Sequence, residues 1–447
     1  MHLSLSRSLL VLACAALPIS AHAIDIQRWH TADGTQVLLV ARHDNPIVDV
    51  QISFKGAGAA FNPPGKGEVA DFTAAMLTDG TRTLDEEAFN ARANDLAADI
   101  GSSSSDEGAS IRLRSLSRAD VLQPALKLVN QSLTEPRFDA EVFRRRQNQS
   151  VTALQQNETD PAFVADRAAT LLDYPDHPYG SSARTSEQSL RAVTLADIRA
   201  FHRSRYGKNN AIVAVVGDID RRQTEALVNT VLAGLPAKSS RSAAVPPVPE
   251  RNAQRRDIPF AAEQAQIVMS MPLIRRDDPD YYALVVGNYI LGSGGFDGRL
   301  MKTLRDQYGY TYGAYSNLAP ATEAGAFSIA FSTQKANAAP ALAAAQKVLA
   351  DFVAEGPTEA ELQQAKSNLV GGFPLRFDTN AKLLQYLSLI GFYNLPDDYL
   401  EAYPKAVAAI SSAQIKAAWQ RRVQPQNMNI VVVGADAPKN TDAQSKK

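Results

Sequence analysis

Val48, Val50, Ile52 and Phe54 alternate with polar positions, so an extended chain turns all four to one side and forms a half-buried strand. From Glu68 to Thr78 the spacing predicts a helix. Thr83-Leu84-Asp85-Glu86 has the form of a capping box and opens another. Phe89, Ala93, Leu96 and Ile100 line one face of that helix, and Gly101 supplies a stop. Ile111 and Leu113 mark a further strand, and Leu122, Leu126, Val129 and Leu133 form one stripe of a following helix.

The same order returns later. A strand lies near Gln266–Met271, then a helix from Pro279 to Leu291, with Asp278 as N-cap and Pro279 at the first helical position. Phe327, Ile329 and Phe331 mark another strand, followed by long helices. Residues 194–220 and 411–437 match at one constant offset, pairing Ile198 with Ile415, Asn210 with Asn427 and Gly217 with Gly434. A looser pair starts at Pro124 and Pro340. The duplication predicts an α+β fold of two homologous halves. Each is a layered unit with a mainly antiparallel sheet and helices on one face, and together they form a clamshell. The expected limits are 24–238 and 257–440. They are joined by the proline-rich segment 239–256, which is either a hinge or pinned to the surface. Residues 441–447 read as a disordered tail.

Composition narrows the class. The 447 residues are 45% hydrophobic and 21% charged, with a formal net charge of -1, which gives no electrostatic case for nucleic acid. Arg7, the apolar run Leu9–Leu17 and Ala21-His22-Ala23 read as a signal peptide over 1–23, cleaved after Ala23. A periplasmic or secreted protein is expected. Cys14, the single cysteine, offers a lipoprotein alternative. No later run approaches the roughly 20 apolar residues of a spanning helix.

Candidate chemistry is sparse. His30, His43, His177 and His202 remain beyond the signal, and no two stand in a metal-binding spacing. No G-x-S-x-G occurs. Ser102–Ser105 reads as a solvated turn, and the glycine-rich run from Leu291 as a turn between helices. The richest segment is LRDQYGYTYGAYS, residues 304–316, where Tyr310 and Tyr312 would share one strand face with Thr311 on the other. An arginine and a tyrosine there can hold a peptide carbonyl or a developing oxyanion. Aromatic packing alone accounts for the same residues.

VLLVARHDNPIVDVQISFKGAG, the HPYG of His177–Gly180, YGKNNAIVAVVGDID and LGSGGFDGRLMKTLRDQYGYTYGAYS together resemble the pitrilysin/insulinase-type zinc peptidases. That family includes the mitochondrial processing peptidase and the core subunits of the respiratory bc complex. The likeness runs from Val37 to about Ala435. It implies an H-x-x-E-H zinc motif in DFTAAMLTDGT, where Asp71 and Ala75 hold the histidine positions and Ala74 the general base. Counting back from Pro161 puts Ala153 at the third ligand. The resemblance therefore implies no metal and no intrinsic peptidase activity in this chain. It also implies that Arg305 and Tyr312, seven residues apart, keep the family's substrate-holding pair. The expected role is the non-zinc subunit of a two-subunit peptidase: it binds peptide and supplies that pair in trans to a zinc-bearing partner. The alternative is a structural or peptide-binding scaffold.

Overall fold

The computed structural model describes residues 24–435. The expected leader with its Cys14, and the expected tail, lie outside the described residues. The first sheet holds β1 (Gln27–His30), β2 (Gln36–Ala41), β3 (Ile47–Lys55), β4 (Asp99–Ser104), β5 (Gly108–Leu116) and β6 (Ala211–Gly217). Their order is β1-β2-β6-β3-β5-β4. The second holds β7 (Arg255–Ile258), β8 (Gln264–Ile274), β9 (Ala314–Leu318), β10 (Gly325–Gln334) and β11 (Asn429–Val433), ordered β7-β11-β8-β10-β9. Leaving out β1, the two orders correspond strand for strand. Each sheet has one parallel pair, β2 with β6 and β7 with β11, and is otherwise antiparallel. The matched glycines end the matched strands: Gly217 and Gly434 both have positive φ, 139° and 82°.

Helices of the first half cover one side of its sheet. Val37, Leu39, Val50, Ile52, Val213 and Val215 share a core with the helices Val69–Ala75, Ala119–Thr134, Leu195–Arg205 and Arg221–Val231. The opposite side of the same strands is also apolar. Leu38, Val40, Ile212, Ala214 and Val216 pack with Leu383, Leu384 and Leu387 of the helix Asn380–Phe392, which belongs to the second half. In return, the first half's helix Pro161–Asp173 lays Ala165, Ala168 and Ala169 against Val268, Val431 and Val433 of the second sheet. The halves thus exchange one helix each. Small residues permit the close approach: a Cβ on Gly391 would come within 2.7 Å of Ile212 and Leu38.

The joining segment is pinned, not free. Ser239 N–H donates to Asn209 Oδ1 at 2.7 Å, and Arg205 donates to the Ser242 carbonyl at 2.8 Å. His177 Nε2 donates to the Pro246 carbonyl at 2.8 Å, and Val245 is buried with Tyr174 and Tyr179. Arg255 and Arg256, at the end of the expected linker, already pair in β7.

Several local expectations are corrected. Asp85, not Thr83, caps its helix, accepting from Ala88 N–H. That helix ends at Asp95, because Ala97 takes φ 46° and closes a Schellman-type turn: Ala98 N–H reaches the Ala93 carbonyl and Ala97 N–H the Asn94 carbonyl. Ile100 and Gly101 therefore lie in β4, as do Ser102 to Ser104, which are an edge strand and not a turn. The helix expected from Pro279 starts at Tyr281, after Asp280.

Candidate functional site

On the helix Val69–Ala75, Asp71 is half-buried and its carboxylate accepts from Ser104 Oγ of β4. Ala74 is buried and Ala75 half-buried. Ala153 does not join them. It is exposed on the helix Ala140–Asn157, beside Arg144, Arg145 and Asn148. The side of that helix facing Val69–Ala75 carries Phe143, whose ring meets Phe72 edge-on at 5.6 Å, and Ser150, which bonds Glu68. Burial raises the Glu68 carboxyl, and the negative charge of Asp71 adds to it. Asp106 is raised the same way, by burial first and then by Glu107 and Asp71.

Zinc needs three or four converging His, Cys or carboxylate ligands. Methyl groups at Ala74, Ala75 and Ala153, with a single carboxylate already bonded to a serine, do not fit it. No group of three or more such side chains placed to hold a metal occurs among the described residues. Three of the four histidines, His43, His177 and His202, have partners within the fold. His202 is buried, donates to the Leu133 carbonyl at 2.9 Å, and is pushed down to about 4 by burial, so it is neutral. His177 accepts from Tyr179 N–H through Nδ1 while Nε2 holds Pro246. His43 pairs with Asp218 at the surface, and His30 is exposed.

In the second half, Arg305 lies on the segment Met301–Gln307, wound with i→i+5 hydrogen bonds such as Tyr308 N–H to the Thr303 carbonyl. Its guanidinium sits over the Phe296 ring, 4.7 Å from the centroid. Gly309, at φ 63°, turns the chain back. Tyr312 follows, 88% exposed. The expected strand does not reach it: β9 begins at Ala314. Tyr310 is half-buried, stacked on Tyr308 at 5.2 Å, and its carbonyl accepts from Thr333. Tyr310 and Tyr312 therefore do not share a strand face. Phe296, Tyr308, Tyr312 and Tyr315 are all exposed, so Arg305 borders an open aromatic surface.

Glu107, which sequence reasoning missed, joins the halves. Its carboxylate is buried at the β4–β5 turn and accepts from Tyr179 at 2.6 Å, Tyr393 at 3.0 Å and the Thr322 N–H at 3.1 Å. Tyr393 and Thr322 belong to the second half. Tyr179 also accepts from Glu323 N–H, and Tyr174 donates to the Ala324 carbonyl. A lone Glu-Gly at a hairpin tip carries no signal of such long-range partners.

The matching family model is the peptidase M16 inactive domain, over residues 192–369. A crystal structure of a peptidase M16 inactive domain from Pseudomonas fluorescens is 34% identical, with TM-score 0.88, and the match covers 92% of this chain and 98% of that one. This chain belongs to the peptidase M16 family. It is also 24% identical over 384 residues to the non-peptidase homolog YmxG of Helicobacter pylori, covering 85% of this chain and 87% of that one. The periplasmic protease PqqL of Escherichia coli shares the fold, with TM-score 0.77 at 18% identity, over 92% of this chain and 45% of that one. Among M16 proteins this is an inactive member, without intrinsic peptidase activity: the helix Val69–Ala75 presents Asp71, Ala74 and Ala75 where the resemblance places two histidines and a glutamate.

Proposed function

We propose that this chain is the non-catalytic subunit of an exported two-subunit peptidase, binding peptide and lending Arg305 and Tyr312 to a zinc-bearing M16 partner. The carrying observation is an asymmetry. The first half has lost its metal ligands, while the second keeps Arg305 on a ring and Tyr312 open to solvent. An exposed tyrosine makes no fold contact that would otherwise explain it. Its hydroxyl is free to donate to a peptide carbonyl, and the guanidinium of Arg305, seven residues earlier in the chain, supplies fixed charged donors. Export to the periplasm or beyond rests on the leader ending at Ala23, with acylation at Cys14 as the other route. Among the described residues no helix is long and apolar enough to cross a membrane.

A scaffold without catalytic contribution is the second reading. The pinned linker and the Glu107 hub support it, since both favour a fixed shape. Co-purification with an exported M16 relative that retains H-x-x-E-H, followed by a peptide-cleavage assay, separates the two. Arg305→Ala and Tyr312→Phe should each lower turnover about 100- to 1,000-fold, the range for losing a transition-state donor, with the complex intact. Unchanged turnover in both variants would leave the scaffold.

A further inference from the structure

The second half encloses a cavity of about 510 Å³, within the range of small-molecule sites. It opens between the helices Tyr281–Asn288, Asn380–Phe392 and Tyr399–Ala409. Its character comes from three sets of residues.

The first is aromatic. Phe373 stacks flat on Tyr403, 4.5 Å between centroids and 14° between planes, and Tyr386 meets Phe373 edge-on at 5.9 Å. Phe373 and Tyr403 are buried and spend their flat faces on each other, so the apolar surface offered to the cavity comes from their edges and from the half-buried Tyr386 and Leu389. The second set is cationic. Arg276 and Arg376 both line the cavity. Arg276 donates only to neutral groups, the Tyr281 hydroxyl at 3.1 Å and the Pro320 carbonyl at 3.4 Å. It lies over the rings of Tyr281 and Tyr393. Glu107, which bonds the Tyr393 hydroxyl, is already engaged by three donors. Asp278 and Asp280 are engaged by Arg421 and Arg422. Arg376 is exposed at the rim.

The third set is unsatisfied. Asn288 is 5% exposed, and its Oδ1 has no hydrogen-bond partner; neither does the buried Nε of Arg276. A buried polar group left in this state costs about 1–3 kcal/mol, so its persistence calls for a partner. The next turn of the chain, Tyr289–Ser293, is wound with an i→i+5 bond from Gly294 N–H to the Tyr289 carbonyl, and Tyr289 and Ser293 join the wall. Such bulged turns concentrate at functional sites.

We propose that this cavity binds a small organic carboxylate with an aromatic or branched aliphatic body and an adjacent N–H. The carboxylate lies against Arg276 and Arg376, the body against Tyr386, Leu389 and the edges of Phe373 and Tyr403, and the N–H donates to Asn288 Oδ1. An N-acylated aromatic amino acid carries all three features, and so does the C-terminal residue of a peptide. The site is separate from Arg305 and Tyr312 and does not depend on their role.

Isothermal titration of the full chain tests it. The probes are N-acetyl-phenylalanine, its C-terminal amide, and a hexapeptide ending in free phenylalanine. The acid should bind saturably and at least about 10-fold more tightly than the amide, a difference of about 1.4 kcal/mol. Arg376→Gln, at an exposed position that leaves the core intact, should weaken the acid about 3- to 10-fold and leave the amide unchanged. Arg276→Gln should weaken it further, with thermal unfolding followed to show that the fold survives. Binding of the hexapeptide as well as the free acid supports the site with peptide termini as its source; binding of the free acid alone supports it with a small metabolite. Absent saturable binding, equal affinity for acid and amide, or an acid affinity untouched by Arg376→Gln would overturn the proposal.

Discussion

Glu107 accepts a hydrogen bond from the Tyr393 hydroxyl at 3.0 Å, joining the hairpin tip of the first half to the exchanged helix of the second. Because Glu107 also serves Tyr179 and Thr322, its removal strands three donors at once. Glu107→Ala should lower unfolding free energy by about 2–4 kcal/mol, at the upper end for a single change because more than one buried donor loses its acceptor. Urea denaturation measures this. Tyr393→Phe, which removes one donor and leaves the carboxylate two, should cost no more than about 1.5 kcal/mol.

Gly391 sets the distance between the exchanged helix and the first sheet. Alanine there gains about 0.5–1 kcal/mol of helix propensity but puts a methyl 2.7 Å from Ile212 and Leu38. Leu38 Cδ1 is a side-chain end that can shift, whereas Ile212 Cγ2 is held directly on its strand, so Gly391→Ala should come out up to about 1 kcal/mol less stable than the parent. Gly391→Val adds two more carbons to the same space and should cost about 1–3 kcal/mol or more. Equal thermal midpoints for the two variants would contradict this packing.

Asp173 ends the other exchanged helix, where it accepts from Asn429 at 2.8 Å. Burial raises its carboxyl from 3.8 to about 6, against the opposing effect of the hydrogen bond from Asn429. The folded state therefore holds this proton more tightly than the unfolded one. The favourable contribution is complete below about pH 4 and is lost as pH rises through about 6, for a total of roughly 3 kcal/mol. Asp173→Asn keeps an acceptor for Asn429 and removes the charge. It should be more stable than the parent by about 1–3 kcal/mol near pH 8, with the gain shrinking toward pH 4. Urea titrations at the two pH values check the sign.

Tyr312 is so exposed that Tyr312→Ala should change stability by less than about 0.5 kcal/mol. Phe296→Ala should release the Arg305 guanidinium at a cost of about 0.5–1 kcal/mol, the value of an exposed cation–ring contact. Thermal melts of the isolated chain measure both, and confirm that any loss of turnover in complex with a partner is not a loss of fold.

Local periodicity and internal repetition carried most of the fold. The Ile198/Ile415 and Gly217/Gly434 pairs sit at corresponding helix and strand positions because both are set by short-range sterics. Ser102 to Ser104 escaped notice as a strand because an edge strand of serines has no apolar alternation to read. The apolar spacing extends the helix before it to Ile100, and the left-handed conformation of Ala97 that ends it at Asp95 is one the sequence gives no reason to expect of alanine. The absence of zinc ligands on Val69–Ala75 was legible only through the family resemblance, which says which positions the ligands would occupy. The displaced position of Ala153 was not, since a count from Pro161 fixes a residue on a helix but not the side it faces. Helix exchange and the Glu107 hub are contacts between segments hundreds of residues apart. The small residues Ala165, Ala168, Ala169 and Gly391 that permit the close approach carry no periodicity that would announce it.

The exchanged helices also bear on how the duplication arose. Cut between the halves, each piece would keep its own sheet but show water an apolar face that only the other piece covers. Two such pieces complete each other reciprocally, as two identical subunits swapping an arm would. The chain is thus built like a swapped homodimer whose protomers have been fused end to end.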